Sequence, residues 1–157
     1  MHVQMSAHTE NEVLINAPFD VVWDATNDVE HWTDLFTEYA KVEVLEREGN
    51  SIVFRLTLHP DEEARVWSWV SRRTMDRVRR ETFSERVETG PFEFMKIHWT
   101  YEPVEGGTRM RWEQDFHMKP TAPVNDEQMA ARINAGSPEQ MRAIKAKIEA
   151  RVAGGPH

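Results

Sequence analysis

The sequence predicts an α+β domain in which a curved antiparallel sheet wraps its apolar face around a long C-terminal helix, with two short helices following the first strand. Three observations carry this. Apolar residues recur at helical spacing between Pro18 and Phe36, switch to a period of two from Val42 to Phe116, and return to helical spacing from Asn125 to Ile148. The strand segments are joined by short turns, which implies neighbouring antiparallel strands. No internal repeat or linker suggests a second domain. We expect a flexible N-terminus over 1–10, one domain over 11–152 and a frayed tail over 153–157, with a start of translation near Met5 as an option.

Glu12–Asn16 reads as the first strand. Pro18 then sits where the first turn of a helix tolerates a missing N–H, so a helix is expected from Pro18 to Thr26. Asn27 and Asp28 offer capping side chains to a second short helix carrying Val29, Trp32, Leu35 and Phe36 on one face. Strands follow around Val42 and Val44, then Ile52 to Leu58 after the Gly49-Asn50 turn, then Val66 to Arg73. Three more run from Glu81 to Val87, Glu93 to Tyr101 and Arg109 to Phe116. In the last two, Met95, Ile97 and Trp99 share a face, as do Met110, Trp112, Gln114 and Phe116. The C-terminal helix offers Met129, Ile133, Met141, Ile144 and Ile148 to the sheet. Pro138 lies inside it, and Ser137-Pro138-Glu139-Gln140 has the form of a capping box, so a kink or break is expected between Ala135 and Pro138. A sheet curved around one helix leaves room for a cavity opening near the helical pair.

The stretch Val66-Trp67-Ser68-Trp69-Val70-Ser71-Arg72-Arg73 is the most informative. Alternation places Trp67, Trp69, Ser71 and Arg73 on one face. Indoles gain from burial, whereas a buried guanidinium is costly unless a partner or a ligand supplies acceptors. Two readings follow: an aromatic-walled site with a cation in it, or a strand leaving the core for solvent. Arg72, Arg73, Arg77, Arg79 and Arg80 cluster around one turn, either as a local basic patch or as a solvated edge.

Composition narrows the function. The 157 residues suffice for one core and bury roughly 70% of the unfolded surface. Hydrophobic content of 39% and charged content of 29% suit a globular chain, and no apolar run approaches the ~20 residues of a membrane span. A net charge of -8 opposes broad neutralisation of nucleic-acid phosphates. With no Cys, thiol catalysis and thiolate metal sites are excluded, and a cytoplasmic setting is favoured. His59, His98 and His117 fall on separate strands without paired ligand spacing, so no metal is expected. No Gly-rich phosphate loop supports a nucleotide cofactor.

The order of elements resembles the START-like helix-grip fold, and several motifs resemble one family within it: the single-domain polyketide aromatase/cyclases of type II (aromatic) polyketide synthases. The matching stretches include Asn16-Ala17-Pro18-Phe19, Val22-Trp23-Asp24, Thr26-Asn27-Asp28 with Trp32, Leu35-Phe36 with Glu38-Tyr39, and Val66 to Ser71. Further on they include Arg86 to Phe92, His98-Trp99-Thr100-Tyr101, Met110-Arg111-Trp112 and Met118-Lys119-Pro120. The resemblance implies an enzyme that takes a linear poly-β-ketone tethered through phosphopantetheine to an acyl carrier protein of a minimal polyketide synthase. It folds that chain and closes the first ring by aldol condensation and dehydration, without metal or redox cofactor. The motifs are most similar to members joining carbon 9 to carbon 14, although closure between carbons 7 and 12 uses the same fold.

By the same resemblance Arg73, Tyr39 and Ser71 are the catalytic candidates. Trp32, Phe36, Trp67, Trp69, Phe92, Met95, Ile97, Trp99, Trp112, Ile133 and Asn134 are the substrate-binding candidates, with Asn134 at the floor. Arginine, with a pKa above ~12, serves as a fixed cation that stabilises an enolate or alkoxide; the proton comes from Tyr39, Ser71 or an ordered water. The rival function is a non-catalytic START-like carrier for an apolar small molecule. A carrier needs a cavity but no Ser-Arg pair on an indole-lined strand. A third reading, a structural subunit of the synthase, needs no pocket.

Overall fold

The computed structural model describes residues 6–154. Seven strands form one antiparallel sheet: β1 (Ala7–Ile15), β2 (Tyr39–Glu48), β3 (Ser51–Leu58), β4 (Ser68–Asp76), β5 (Glu81–Arg86), β6 (Phe92–Val104) and β7 (Gly107–Met118). Between β1 and β2 lie α1 (Phe19–Asn27), a 3-10 turn (Val29–His31) and α2 (Trp32–Leu35), and α3 (Asp126–Gly154) closes the chain. The strand order is β1-β7-β6-β5-β4-β3-β2. Consecutive strands from β2 to β7 are therefore hairpin neighbours, and β1 completes the sheet beside β7. This is the sheet, helical pair and C-terminal helix expected from the sequence.

The β1 strand begins at Ala7, earlier than its apolar alternation suggests, because Ala7 to Glu12 pair residue by residue with Phe116 to Arg111 of β7. An edge strand needs ladder hydrogen bonds more than apolar side chains. Residues 1–5, with the start near Met5, and residues 155–157 of the expected tail lie outside the described residues. At the β6–β7 turn a Cβ on Gly107 would sit 2.2 Å from the Ile15 carbonyl oxygen, so only glycine lets the end of β1 cross there.

The expected break in the last helix is absent: α3 runs through Pro138 without interruption. Pro138 removes one backbone bond, a cost of about 3 kcal/mol. Apolar burial on both sides of it exceeds that cost. Met141, Ile144 and Ile148 are fully buried in the main core, and Met129, Ala130 and Ile133 pack on a second cluster of Phe92, Met95, Phe116 and Met118. Each buried aliphatic side chain contributes about 1.5–3 kcal/mol. Two polar ties hold the same region: Gln114 Nε2 donates to Ser137 Oγ at 3.4 Å, and Gln140 bridges the Thr37 N–H and hydroxyl at 2.9 and 2.8 Å.

Candidate active site

Register fixes what faces the helix. One row across the inner face runs Ile52, Arg73, Ser84, Ile97, Gln114; the adjacent row runs Met75, Thr82, Trp99, Trp112. Trp69, Ser71 and Arg73 alternate inward along β4, as the period of two predicts. From the helical pair, Trp32 and Phe36 reach down onto the same patch, and Tyr39 enters at the start of β2.

The result is a continuous aromatic cluster. Trp99 and Trp112 stack at 4.4 Å, Trp32 stacks on Trp99 at 6.0 Å and on Tyr39 at 6.0 Å, and Phe36 contacts Trp32, Tyr39 and Trp112 at 5.0, 4.9 and 6.0 Å. Trp69 meets Tyr39 edge-on at 6.5 Å. Ring-to-ring contacts thus span part of the gap between sheet and helices where the cavity was expected. An open groove of about 460 Å³ runs elsewhere, over Arg72, Phe83, Glu85, Lys96 and His98.

Arg73 sits within this cluster with 1% of its surface exposed. Its Nε and Nη2 donate to Asn27 Oδ1 at 3.1 and 2.9 Å, and Nη1 reaches Ser84 Oγ at 3.4 Å. The guanidinium lies over the Trp99 ring at 4.2 Å and the Trp32 ring at 5.2 Å. No carboxylate pairs with it among the described residues. Burial lowers its pKa, and Tyr101 partly opposes that shift. Tyr101 is buried too, its hydroxyl 2.7 Å from Thr26 Oγ1. A charge held by neutral oxygens and ring faces keeps most of its field available to whatever enters the cluster.

A second cation borders the site. Arg86, directly opposite Ser71 on β5, lies over Trp69 at 4.2 Å and Phe92 at 4.5 Å, and burial pulls its pKa down to about 10. It too has no ion-pair partner among the described residues. Tyr39 feels both guanidiniums, yet burial, reinforced by Glu38, pushes its phenol well above the ordinary value. The hydroxyl therefore keeps its proton at neutral pH.

Of the sequence candidates, Arg73, Ser71, Tyr39, Trp32, Phe36, Trp69, Trp99 and Trp112 converge on this one patch, with Ile97 at its margin. Phe92, Met95 and Ile133 belong to the second cluster beneath the N-terminal half of α3. Two candidates stand elsewhere. Trp67 precedes the strand and is 40% exposed, its Nε1 donating to Asp61 Oδ2 at 3.0 Å. Asp61 also accepts from the backbone of Glu63 and Arg65, which draws residues 61–67 into a turn and lifts Trp67 off the inner face. Asn134 is exposed on the helix–sheet seam, accepting from Asn11 Nδ2 at 3.1 Å, and is not a floor residue.

Apart from the buried Arg73, the basic run resolves as a solvated edge. Arg77 pairs with Asp20 and Asp24 at 2.6 and 3.0 Å, and Arg72 lies 3.8 Å from Glu85. On the outer face His8, Glu10 and Glu113 bring ligand-type atoms within 4.8 Å of one another, but Arg111 already occupies them, 2.6 Å from Glu10 and 3.5 Å from Glu113.

Asn27, Tyr101 and Arg86 are the site residues that sequence reasoning missed. Asn27 was expected, with Asp28, as a cap of the second helix, but its Oδ1 accepts from Arg73 and its Nδ2 donates to the Trp23 carbonyl at 3.0 Å. Arg86 was findable, since Thr82, Ser84 and Arg86 alternate opposite Glu81, Phe83 and Glu85. The signal is masked by Phe83, which is half-exposed and stacks on the His98 ring at 4.3 Å on the outer face.

Comparison with known proteins agrees with this fold. Residues 15–143 match the profile of the family described as "Polyketide cyclase / dehydrase and lipid transport". A Streptomyces cyaneus protein named "Putative polyketide cyclase" is 59% identical over 145 residues, 92% of this chain and 95% of that one. The bifunctional cyclase/dehydratase of the actinorhodin polyketide synthase of Streptomyces coelicolor is 29% identical over 136 residues, which cover 86% of this chain and 42% of that protein. Among solved structures, the Zhui aromatase/cyclase from Streptomyces sp. R1128 superposes with a TM-score of 0.85 at 25% identity, covering 97% of this chain and all of that one. A START superfamily protein from Mycobacterium smegmatis shares the fold with a TM-score of 0.72 at 14% identity, covering 90% of this chain and 97% of that one. The chain belongs to the polyketide cyclase/dehydrase and lipid-transport family, as an aromatase/cyclase of the START-like helix-grip fold.

Proposed function

We propose that the aromatic cluster receives a linear poly-β-ketone, delivered on the phosphopantetheine arm of an acyl carrier protein of a minimal polyketide synthase, and directs its first ring closure between carbon 9 and carbon 14. The observation that carries this reading is Arg73, a buried guanidinium without a carboxylate, spread over two indole faces. A pure carrier of apolar ligands has no use for a cation held at this desolvation cost.

The chemistry follows from the groups present. A methylene between two ketones is already acidic, so enolisation needs no strong base. Arg73 stabilises negative charge first on the enolate oxygen and then on the alkoxide formed when the enolate carbon adds to the second ketone. That alkoxide takes up a proton, the hydroxyl leaves as water with an adjacent C–H proton to give a cyclic enone, and enolisation of the remaining ring ketones gives the aromatic ring. Tyr39, kept protonated by burial, is a candidate donor beside Ser71 and an ordered water. Before any step the stacked rings must part to admit the chain, and their close packing then restricts the chain to one bend. Flexible poly-β-ketones cyclise unaided along several routes, so selection among routes is the main work.

The test is product analysis after reconstitution with a minimal synthase making one chain of defined length. The wild-type protein is expected to move product from the spontaneous mixture to the ring joined between carbons 9 and 14. An unchanged mixture rejects the reading, and a shift to closure between carbons 7 and 12 rejects the regiochemistry alone.

A further inference from the structure

Buried polar atoms without partners mark places where a fold has left a hydrogen bond open. Among the described residues four side-chain atoms are in this state: Thr9 Oγ1, Thr82 Oγ1, Arg111 Nε and Trp112 Nε1. Arg111 lies on the outer face, and its Nη2 is engaged by Glu10 and Glu113. The two threonine hydroxyls can rotate. Trp112 differs from all three, because an indole N–H has one fixed direction and its ring is clamped against Trp99 at 4.4 Å and Phe36 at 6.0 Å.

Two other indoles sharpen the contrast. Trp32 Nε1, in the same cluster, donates to the Thr26 carbonyl oxygen at 3.1 Å, and Trp67 Nε1 donates to Asp61. Buried indole N–H groups ordinarily find an acceptor. Trp112, with 5% of its surface exposed, carries its open donor inside the aromatic patch, one row from Arg73.

We propose that Trp112 Nε1 is a positioning residue that donates a hydrogen bond to a ketone oxygen of the bound chain, at a carbonyl other than the one polarised by Arg73. This rests on the reading of the site as a poly-β-ketone binder. Two fixed donors a row apart, one charged and one neutral, act on a chain whose oxygens recur on every second carbon. A slip by one carbon leaves both donors facing methylenes, whereas a slip by a whole ketide unit keeps both paired, so the two donors fix the phase of the chain. Ring walls alone do not supply such a penalty, since they accept any planar segment.

The test replaces the indole by its sulfur isostere, Trp112→benzothienylalanine, which keeps the bicycle and removes only the donor. Three measurements are made on the full chain. The thermal midpoint is expected to stay level or rise, because an orphan donor is lost, whereas the same replacement at Trp32 lowers it by removing a real bond. Affinity for anthraquinone, which offers ketone oxygens, is expected to fall roughly tenfold, while affinity for anthracene is unchanged. In reconstitution the share of correctly closed ring should fall relative to wild type. Equal losses for anthraquinone and anthracene, or no loss for anthraquinone, overturn the proposal, as does a drop in thermal midpoint matching that of the Trp32 replacement. If the wild-type protein itself fails to bias cyclisation, the proposed function has failed; if wild type succeeds and the Trp112 variant equals it, only the present inference has.

Discussion

Replacing Arg73 by Met separates catalysis from stability in a way that few substitutions do. The change keeps an unbranched chain of similar reach and removes the cation. On the stability side, Asn27 Oδ1 loses two donors, at 3.1 and 2.9 Å, a penalty of about 1–3 kcal/mol for a buried acceptor left unpaired. Two cation–π contacts, over Trp99 and Trp32, disappear as well, each about 0.5–2 kcal/mol. Against this stands relief of the desolvation of a fully buried guanidinium without a carboxylate, several kcal/mol. The opposing effects are similar in size, so the thermal midpoint should move little. On the catalytic side nothing offsets the loss: one donor aimed at a developing oxyanion is typically worth about 10²–10³ in rate. The assay is the rate of formation of correctly closed ring from carrier-bound chain, counted against spontaneous shunt products, since disappearance of substrate alone would mislead. A variant that folds normally and keeps the wild-type rate of correct closure refutes the assignment of Arg73 and leaves the protein a shaped container.

Three further outcomes follow from the same geometry. Asn27→Asp gives Arg73 a carboxylate at existing hydrogen-bond distances; the pair should raise stability by roughly 1 kcal/mol in thermal melts while lowering correct closure, because the cation is then neutralised at its own site. Asp61 has its pKa pulled from 3.8 to about 2 by the Trp67 N–H and by backbone bonds, so the turn over residues 61–67 is held fully above pH 3.8 and released as pH falls through about 2. Trp67 fluorescence should report that transition, Asp61→Asn should abolish it, and Trp67→Phe should leave the product distribution unchanged. Pro138→Ala restores a donor to the Asn134 carbonyl within the continuous helix and should stabilise the protein by up to about 3 kcal/mol in denaturant melts, with no change if a local distortion already satisfies that carbonyl.

Much of this architecture was readable from periodicity, and the reasons it failed in places are physical. Period-two patterns located the six strands after the helical pair, and the alternation of Trp69, Ser71 and Arg73 placed an indole, a hydroxyl and a cation on one buried face. The same alternation misled at Trp67: its carbonyl still accepts the Leu58 N–H at 2.9 Å, but its indole is drawn to the Asp61 carboxylate in the turn and stays exposed. A capping box at Ser137 signalled a helix start, but apolar contacts on both sides of Pro138 outweigh one lost bond. Asn27 carries the same residue type whether it caps a helix or holds a guanidinium, so its partner 46 positions away is legible only in three dimensions. Arg86 turns inward in a strand whose phenylalanine turns outward, against the usual sorting of polar from apolar.

The central claim is that the ligand enters the aromatic cluster and meets Arg73 there. A crystal structure with an aromatic polyketide product bound tests it most directly. The account predicts the product between Trp99 and the helical pair, a ligand oxygen about 3 Å from an Arg73 nitrogen, and the Trp32, Trp99 and Trp112 rings parted from their present 4.4 and 6.0 Å spacings. A product lying instead in the outer groove over Phe83 and His98, with Arg73 still bonded only to Asn27 and Ser84, would contradict it.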